Sequence, residues 1–269
     1  MGYRTFTEAF NRIEYPAGEG HIVAKSIEEL RSVDTIEAKV HTFTDLCEVV
    51  TADRILRRNG IEIEWFIPYF PFARHDRRID ESDGFEVELA LQLVAELNLV
   101  VADPHSELTA VLRHIPQADM VEVVRAHGAF ANDPVVIIPD AGAAKKAGEW
   151  LAGAEPVQAL KHRDPRTGRL DGFRVLADDL GGQPCVIVDD ICDGGGTFLG
   201  LAAELQTHNV GPLTLIVTHG LFTKGLDDLT RTFDAIWAFA STEETQTITT
   251  DGCLTRLPFK VLYKKGTPR

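Results

Sequence analysis

The sequence predicts an α/β protein built as two similar halves, and three observations carry that prediction. Short runs rich in Val, Ile and Leu (Leu99 to Ala102, Val135 to Ile138, Cys185 to Val188) have the length and β-branched content of strands buried in a parallel sheet. Stretches with helical spacing of apolar residues alternate with them, the pattern of β-α-β units. The strand from Cys185 then runs through Asp189 and Asp190 into Asp193-Gly194-Gly195-Gly196-Thr197 and a further helix. A glycine-rich turn thus sits at a strand's carboxyl end, where open α/β sheets bind ligands.

Taken in order, residues 1 to 35 are mixed, with a turn expected over Tyr15-Pro16-Ala17-Gly18-Glu19. Strand character runs from Ile36 to Phe43. A helix follows through Leu46, Val49, Val50, Ile55 and Leu56, capped by Thr44 or Asp45 and stopped at Asn59-Gly60. Ile61 to Ile67 is a strand. Pro68 to Arg78 is too proline-broken for a regular element and too aromatic and basic for an idle loop, which makes it a binding loop. Glu86 to Leu97 is expected as a helix and Leu99 to Ala102 as a strand, closed by Asp103-Pro104-His105-Ser106. Leu108 to Asn132 has no clear period. The pattern restarts with the strand Val135 to Ile138, and Pro139 to Lys146 enters a helix ending near Leu151. Val157 to Leu160, Gly172 to Leu176 and Cys185 to Asp190 are strands, and the polar, basic segment Lys161 to Gly168 is expected to be mobile. Helix 198–208, strand Leu213 to Thr218, helix 224–231, strand Ala235 to Ala240 and a last strand near Phe259 to Tyr263 complete the chain. The halves meet near residues 125 to 133, which gives domains of 1–128 and 129–269.

With 44% hydrophobic residues in 269, the chain can bury one large core or two small ones. Lys plus Arg number 27 against 41 Asp plus Glu, a net charge of −14 that argues against nonspecific nucleic-acid binding. Cys47, Cys185, Cys192 and Cys253 show no zinc spacing, and a reducing cytoplasm is expected. No apolar run follows Met1-Gly2-Tyr3-Arg4 and none reaches bilayer length, so an unexported protein away from membranes is expected. No GxxxxGK[ST] loop, Ser-His-Asp arrangement or HExxH is present, which removes support for the common ATPase, hydrolase and metalloprotease classes.

Consecutive glycines before a helix let backbone N–H groups approach an anion, and phosphate is the natural guest of the turn at 193–197. Asp189 and Asp190 suit ribose hydroxyls, because an ionised carboxylate accepts several hydrogen bonds. This run resembles the phosphoribosyl-diphosphate binding motif of type I phosphoribosyltransferases and ribose-phosphate diphosphokinases (PRPP synthetases). Pro68-Tyr69-Phe70-Pro71-Phe72-Ala73-Arg74-His75-Asp76-Arg77 resembles the ATP loop of the diphosphokinases alone, with His75 where the family usually has Gln. Its arginines are suited to gripping phosphate oxygens and its rings to burying the loop. Asp103-Pro104-His105 resembles the family's Asp-Leu-His at magnesium, and Pro139 to Lys146 its ribose-phosphate loop, with Ala143 and Lys146 replacing Gly and Arg. Leu160-Lys161-His162-Arg163 is similar to the flexible catalytic loop, and Thr218-His219-Gly220-Leu221-Phe222 to a late motif with a structural role.

The resemblance spans roughly residues 10 to 225, and it implies two phosphoribosyltransferase-like (type I) domains, each with a mostly parallel sheet flanked by helices. It further implies transfer of the β,γ-diphosphoryl group of ATP to a 5-phosphoribosyl acceptor in a homo-oligomer, dimer or higher. Tyr15, Glu19, Arg74, His75 and Arg77 would bind ATP, with Glu19 reaching a neighbouring subunit. Asp103, His105 and Asp140 would organise Mg2+. Asp140, Asp189, Asp190, Asp193, Gly194, Gly195, Gly196 and Thr197 would hold the acceptor, and Lys161, Arg163 and His105 would act in catalysis. The chain departs from the pattern in being shorter, with a trimmed segment before Tyr15, and in having Ala17 where an acid usually meets adenine. Gly194 stands where the family has Thr, which removes a hydrogen bond worth about 1–2 kcal/mol and is expected to open room for an acceptor larger than ribose 5-phosphate, such as ADP-ribose. A non-catalytic regulatory homologue and a transferase using PRPP as donor are the rival readings.

Overall fold

Two mostly parallel sheets organise the chain, one in each of two units that divide between Ile115 and Pro116. The computed structural model describes residues 2–78, 80–151, 153, 155–163, 170–241 and 248–263, with the backbone alone at 161–163, 170, 171 and 263.

The first unit comprises β1 (Tyr3–Thr5), α1 (Phe6–Ala9), β2 (Phe10–Glu14), β3 (Gly20–Ala24), α2 (Ile27–Leu30), β4 (Thr35–Glu37), α3 (Phe43–Arg58), β5 (Glu64–Ile67), α4 (Glu86–Val94), β6 (Leu99–Ala102) and β7 (Arg113–Ile115). Its sheet has the order β1-β4-β5-β6-β7, parallel throughout. Parallel strands are covered on both faces, and Trp65, Phe66 and Ile67 of β5 are accordingly fully buried. The Trp65 indole donates to Asp53 Oδ1 at 2.9 Å, which satisfies a carboxylate that α3 turns inward. β2 and β3 form a separate antiparallel hairpin whose tip is the expected turn, closed by Gly18 N–H to Tyr15 C=O at 2.8 Å. The strand expected over Ile36 to Phe43 is shorter: β4 ends at Glu37, and Thr42 caps α3 in a capping box with Asp45, so neither Thr44 nor Asp45 is the N-cap.

The second unit comprises α5 (Gln117–Ala126), β8 (Val135–Ile138), α6 (Ala141–Ala147), β9 (Val157–Arg163), β10 (Leu170–Val175), β11 (Cys185–Cys192), α7 (Gly196–Gln206), β12 (Leu213–Gly220), α8 (Asp227–Thr232), β13 (Ala235–Phe239), β14 (Thr249–Asp251), β15 (Leu254–Leu257) and α9 (Lys260–Tyr263). The sheet order is β10-β9-β8-β11-β12-β13-β15-β14, antiparallel only in the edge pairs β9/β10 and β14/β15. α5 lies in a stretch without a legible period. It packs on α6 and α9, and Gln117 Oε1 accepts from the Trp150 indole at 3.0 Å, so it belongs with the second unit, whereas the sequence places 117–126 before its boundary at 128. The last expected strand, near Phe259, is instead helix α9, and β15 takes the place beside β13. Five residues are too few to separate a period of 2 from one of 3.6.

Candidate functional site

β11 is the strand from which the candidate acceptor site is built. It lies between β8 and β12, with Cys185 opposite Val135 and Leu213, and its first four residues are buried. After β8 the chain adds β9 on one side and then β11 on the other. The carboxyl ends of β8 and β11 therefore flank a topological switch point, the ligand crevice of open sheets. Asp140, one residue past β8 after Pro139, caps α6, its Oδ1 accepting from the N–H groups of Gly142 and Ala143 at 3.0 Å each. Asp190, only 7% exposed, accepts from Lys146 Nζ at 2.8 Å, and its own N–H donates to Asp189 Oδ1 at 2.9 Å. Three of the expected acceptor acids thus converge, together with Lys146, which the sequence placed in the ribose-phosphate loop without assigning it a contact. Burial, then the charges of Asp190 and Asp140, push the Asp189 carboxyl well above the usual range, against the pull of the Asp190 N–H and Lys146.

The turn itself is fixed by glycine chemistry. Gly195 has φ +76°, and a β-carbon on it would stand 3.2 Å from Leu229 Cδ2. It is the N-cap of α7 and, as glycine, offers no capping side chain, while its carbonyl accepts from the Phe198 N–H at 3.0 Å. The next connection is pinned against the turn: Leu221 and Phe222 N–H groups donate to Cys192 C=O at 2.8 and 3.1 Å, and Thr223 Oγ1 donates to Asp193 Oδ1 at 2.5 Å. The room expected at Gly194 is not open. A β-carbon there would lie 3.1 Å from Lys224 Cδ and 3.3 Å from its Cγ and Cε, so the lysine stem fills the space. His219 is buried, with Nδ1 2.8 Å from Ser241 Oγ, and Gly220 is needed because a β-carbon would meet the Phe222 ring at 2.3 Å. Burial pushes the Cys192 thiol up to about 12 and that of Cys185 to about 11, which removes both as thiolate nucleophiles. Lys161 and Arg163 lie on β9, with their backbones opposite Phe173 and Leu170. Their side chains, and all of 164–169, lie outside the described residues.

In the first unit, the aromatic-basic loop leaves the carboxyl end of β5 as irregular chain. Phe70 is buried in the core and Phe72 stacks on Phe43 with centroids 4.2 Å apart, while Arg74, His75 and Arg77 are exposed. The rings anchor the loop and leave its basic groups outward. His75 Nδ1 lies 3.1 Å from Glu86 Oε2, and Arg77 Nε is 3.9 Å from Asp76 Oδ1. Asp103, at the end of the adjacent strand β6, is held by its N–H to Ile115 C=O at 2.8 Å and takes φ +37°. It is 2% exposed, whereas His105 is exposed. Tyr15 and Glu19 are exposed at the hairpin tip. Among the described residues, no group of three or more His, Cys, Asp or Glu is gathered to hold a metal, and no helix is long and apolar enough to cross a membrane.

No family model matches the chain. It is 27% identical to a ribose-phosphate pyrophosphokinase of Mycoplasma pneumoniae over 187 residues, 65% of this chain and 56% of that one. With ribose-phosphate pyrophosphokinase 2 of Saccharomyces cerevisiae the identity is 26% over 58% of this chain and 52% of the relative. The chain thus spans little more than half the length of these curated relatives. A ribose-phosphate pyrophosphokinase of Sulfurisphaera tokodaii is 27% identical over 82% of this chain and 76% of its own. Among solved structures, phosphoribosylpyrophosphate synthetase from Mycobacterium smegmatis superposes with a TM-score of 0.77 at 19% identity, covering 98% of this chain and 96% of that one, a likeness of fold.

Proposed function

We propose that this chain, which belongs to the ribose-phosphate pyrophosphokinase (PRPP synthetase) family, transfers the β,γ-diphosphoryl group of ATP to the anomeric hydroxyl of ribose 5-phosphate. The observation that carries the reading is the end of β11, where Asp189 and Asp190 lead into a glycine turn at the start of a helix capped by Gly195. A sugar phosphate matches both: hydroxyls donate to the carboxylates and the phosphate accepts from the N–H groups. Ribose hydroxyls donating to Asp189 favour its ionised form, against the burial and neighbouring charges that raise its carboxyl.

In the reaction the anomeric oxygen forms a bond to the β-phosphorus, the bond from that phosphorus to the bridging oxygen of the α-phosphate breaks, and AMP departs with the bridging oxygen. The hydroxyl proton passes to solvent, and no dedicated base is required. Lys161 and Arg163 offset charge gathering on the equatorial oxygens, the electrostatic contribution on which phosphoryl transfer chiefly depends. Arg74, His75 and Arg77 hold ATP, joined by Tyr15 and by Glu19 of a neighbouring subunit in a homo-oligomer. The mutual repulsion of Asp140, Asp189 and Asp190 fits a nearby cation. Magnesium uses one or two carboxylates and completes its shell with water and substrate phosphate. Asp140 in the second unit, and Asp103 with His105 in the first, would each offer ligands to such an ion, the buried Asp103 carboxyl needing to be uncovered, and the ion would neutralise phosphate charge.

The test incubates the protein with magnesium, ATP and either ribose 5-phosphate or ADP-ribose, following AMP and the pyrophosphorylated product by chromatography and mass. Product from ribose 5-phosphate is expected. Product from ADP-ribose alone would replace the acceptor, and no product from either would leave a regulatory homologue.

A further inference from the structure

The turn at 193–197 is rich in acids for a phosphate site. Asp189, Asp190 and Asp193 follow one another at the end of β11, Asp140 stands at the neighbouring strand end, and Lys146 is committed to Asp190 at 2.8 Å. A phosphate placed there meets a negative field that the helix N-terminus alone offsets weakly, by about half an elementary charge. Gly194 adds no hydroxyl. Lys224 addresses both deficits from a different segment. Its stem lies across Gly194, with Cδ 3.1 Å from where a β-carbon would stand. The segment that carries it is fixed: N–H groups of Leu221, Phe222 and Thr223 donate to the carbonyls of Cys192 and Asp193, and Gly225 N–H closes the bend onto Phe222 C=O at 2.9 Å. The side chain is exposed and forms no ion pair with a described residue, so its ammonium is available to a ligand.

We infer that Lys224 is an anion ligand of the acceptor turn, its stem standing in for a side chain at position 194 and its ammonium closing on the 5-phosphoryl group of the acceptor. The inference rests on the proposed reaction and names a specificity determinant for it. The chemistry recognised is a 5-phosphoribosyl group, as a monoester in ribose 5-phosphate or as part of a diphosphate in ADP-ribose.

Calorimetric titration of the full chain with each of these two compounds, and with unphosphorylated ribose, tests it without requiring turnover. Lys224→Met keeps the stem and removes the charge. It should weaken the phosphorylated acceptor that the wild type binds about tenfold, or about 1.4 kcal/mol, while the KM for ATP stays within twofold. Gly194→Thr should also lose affinity, because its β-carbon meets the stem, and Gly194→Thr with Lys224→Gly should regain most of it. Lys224→Met binding within twofold of wild type overturns the inference. A double variant no better than Gly194→Thr overturns the pairing of the two positions. If Lys224→Met loses affinity but the wild type transfers no diphosphate, the lysine's role stands and the proposed reaction falls. If transfer occurs with an acceptor KM indifferent to Lys224→Met, the reaction stands and the inference falls. Binding of neither compound by the wild type sinks both.

Discussion

Asp189 shows how a single residue ties the site to stability. Its carboxyl is raised in the folded chain by burial and by Asp190 and Asp140, so the folded state binds that proton more tightly than the unfolded one. Stability from this group is therefore greatest below the ordinary value of 3.8 and is lost as the pH rises through the folded value. Asp189→Asn keeps the oxygen that accepts from the Asp190 N–H and removes the charge. Its Tm should exceed that of the wild type at neutral pH, by about 2–4 °C for each kcal/mol relieved, and the gap should close near pH 3. An equal or lower Tm at pH 7 would refute the account. Lys146→Met acts in the other direction, removing the ammonium from which the nearly buried Asp190 carboxylate accepts at 2.8 Å. Breaking a fully buried pair costs about 3–5 kcal/mol; with the lysine side chain 24% exposed, we expect about 1–3 kcal/mol in urea unfolding. Arg74→Ala and Arg77→Ala touch exposed groups and should raise the KM for ATP about tenfold each by loss of charge-assisted bonds, with Tm unchanged.

At the scale of elements, turns and caps carry the specificity. Gly195→Ala places a β-carbon at φ +76° against Leu229, which should cost about 1–2 kcal/mol and displace the start of α7. Acceptor affinity should fall further than stability predicts, since the N–H groups move with the turn. Thr42→Ala removes the hydroxyl that accepts from Asp45 N–H and should cost about 1 kcal/mol, seen in the unfolding of α3 by far-ultraviolet circular dichroism, with no effect on acceptor binding. The N-cap of α3 shows how far local pattern reaches. A Thr followed three residues later by Asp is present at Thr42 and Asp45, yet the apolar residues Ala38 and Val40 suggested a strand running past it. Both are buried, but by irregular chain leaving β4, which the alternation of apolar residues does not distinguish from a ladder.

At the scale of the whole molecule, each unit has its own apolar core, one around Trp65 and α3, the other around Ile187 and Val217. Separate cores predict separable cooperativity. In calorimetry, Lys146→Met and Asp53→Ala, which strips the Trp65 indole of its partner, should lower different transitions; a single transition moved alike by both would count against independent cores.

The sequence alone determined the α/β class, the strands Leu99–Ala102 and Val135–Ile138 to the residue, and the glycine turn after β11. It could do so because these signals are local: strand length, β-branching and φ > 0 are written within a few neighbouring residues. Tertiary structure decided what depends on which strands adjoin. Lys146 meets Asp190 only because β8 pairs with β11, and Lys224 covers Gly194 only because β12 brings the following connection back over the turn. Nothing in the spacing of those residues encodes either contact, since parallel pairing joins segments separated by whole helices.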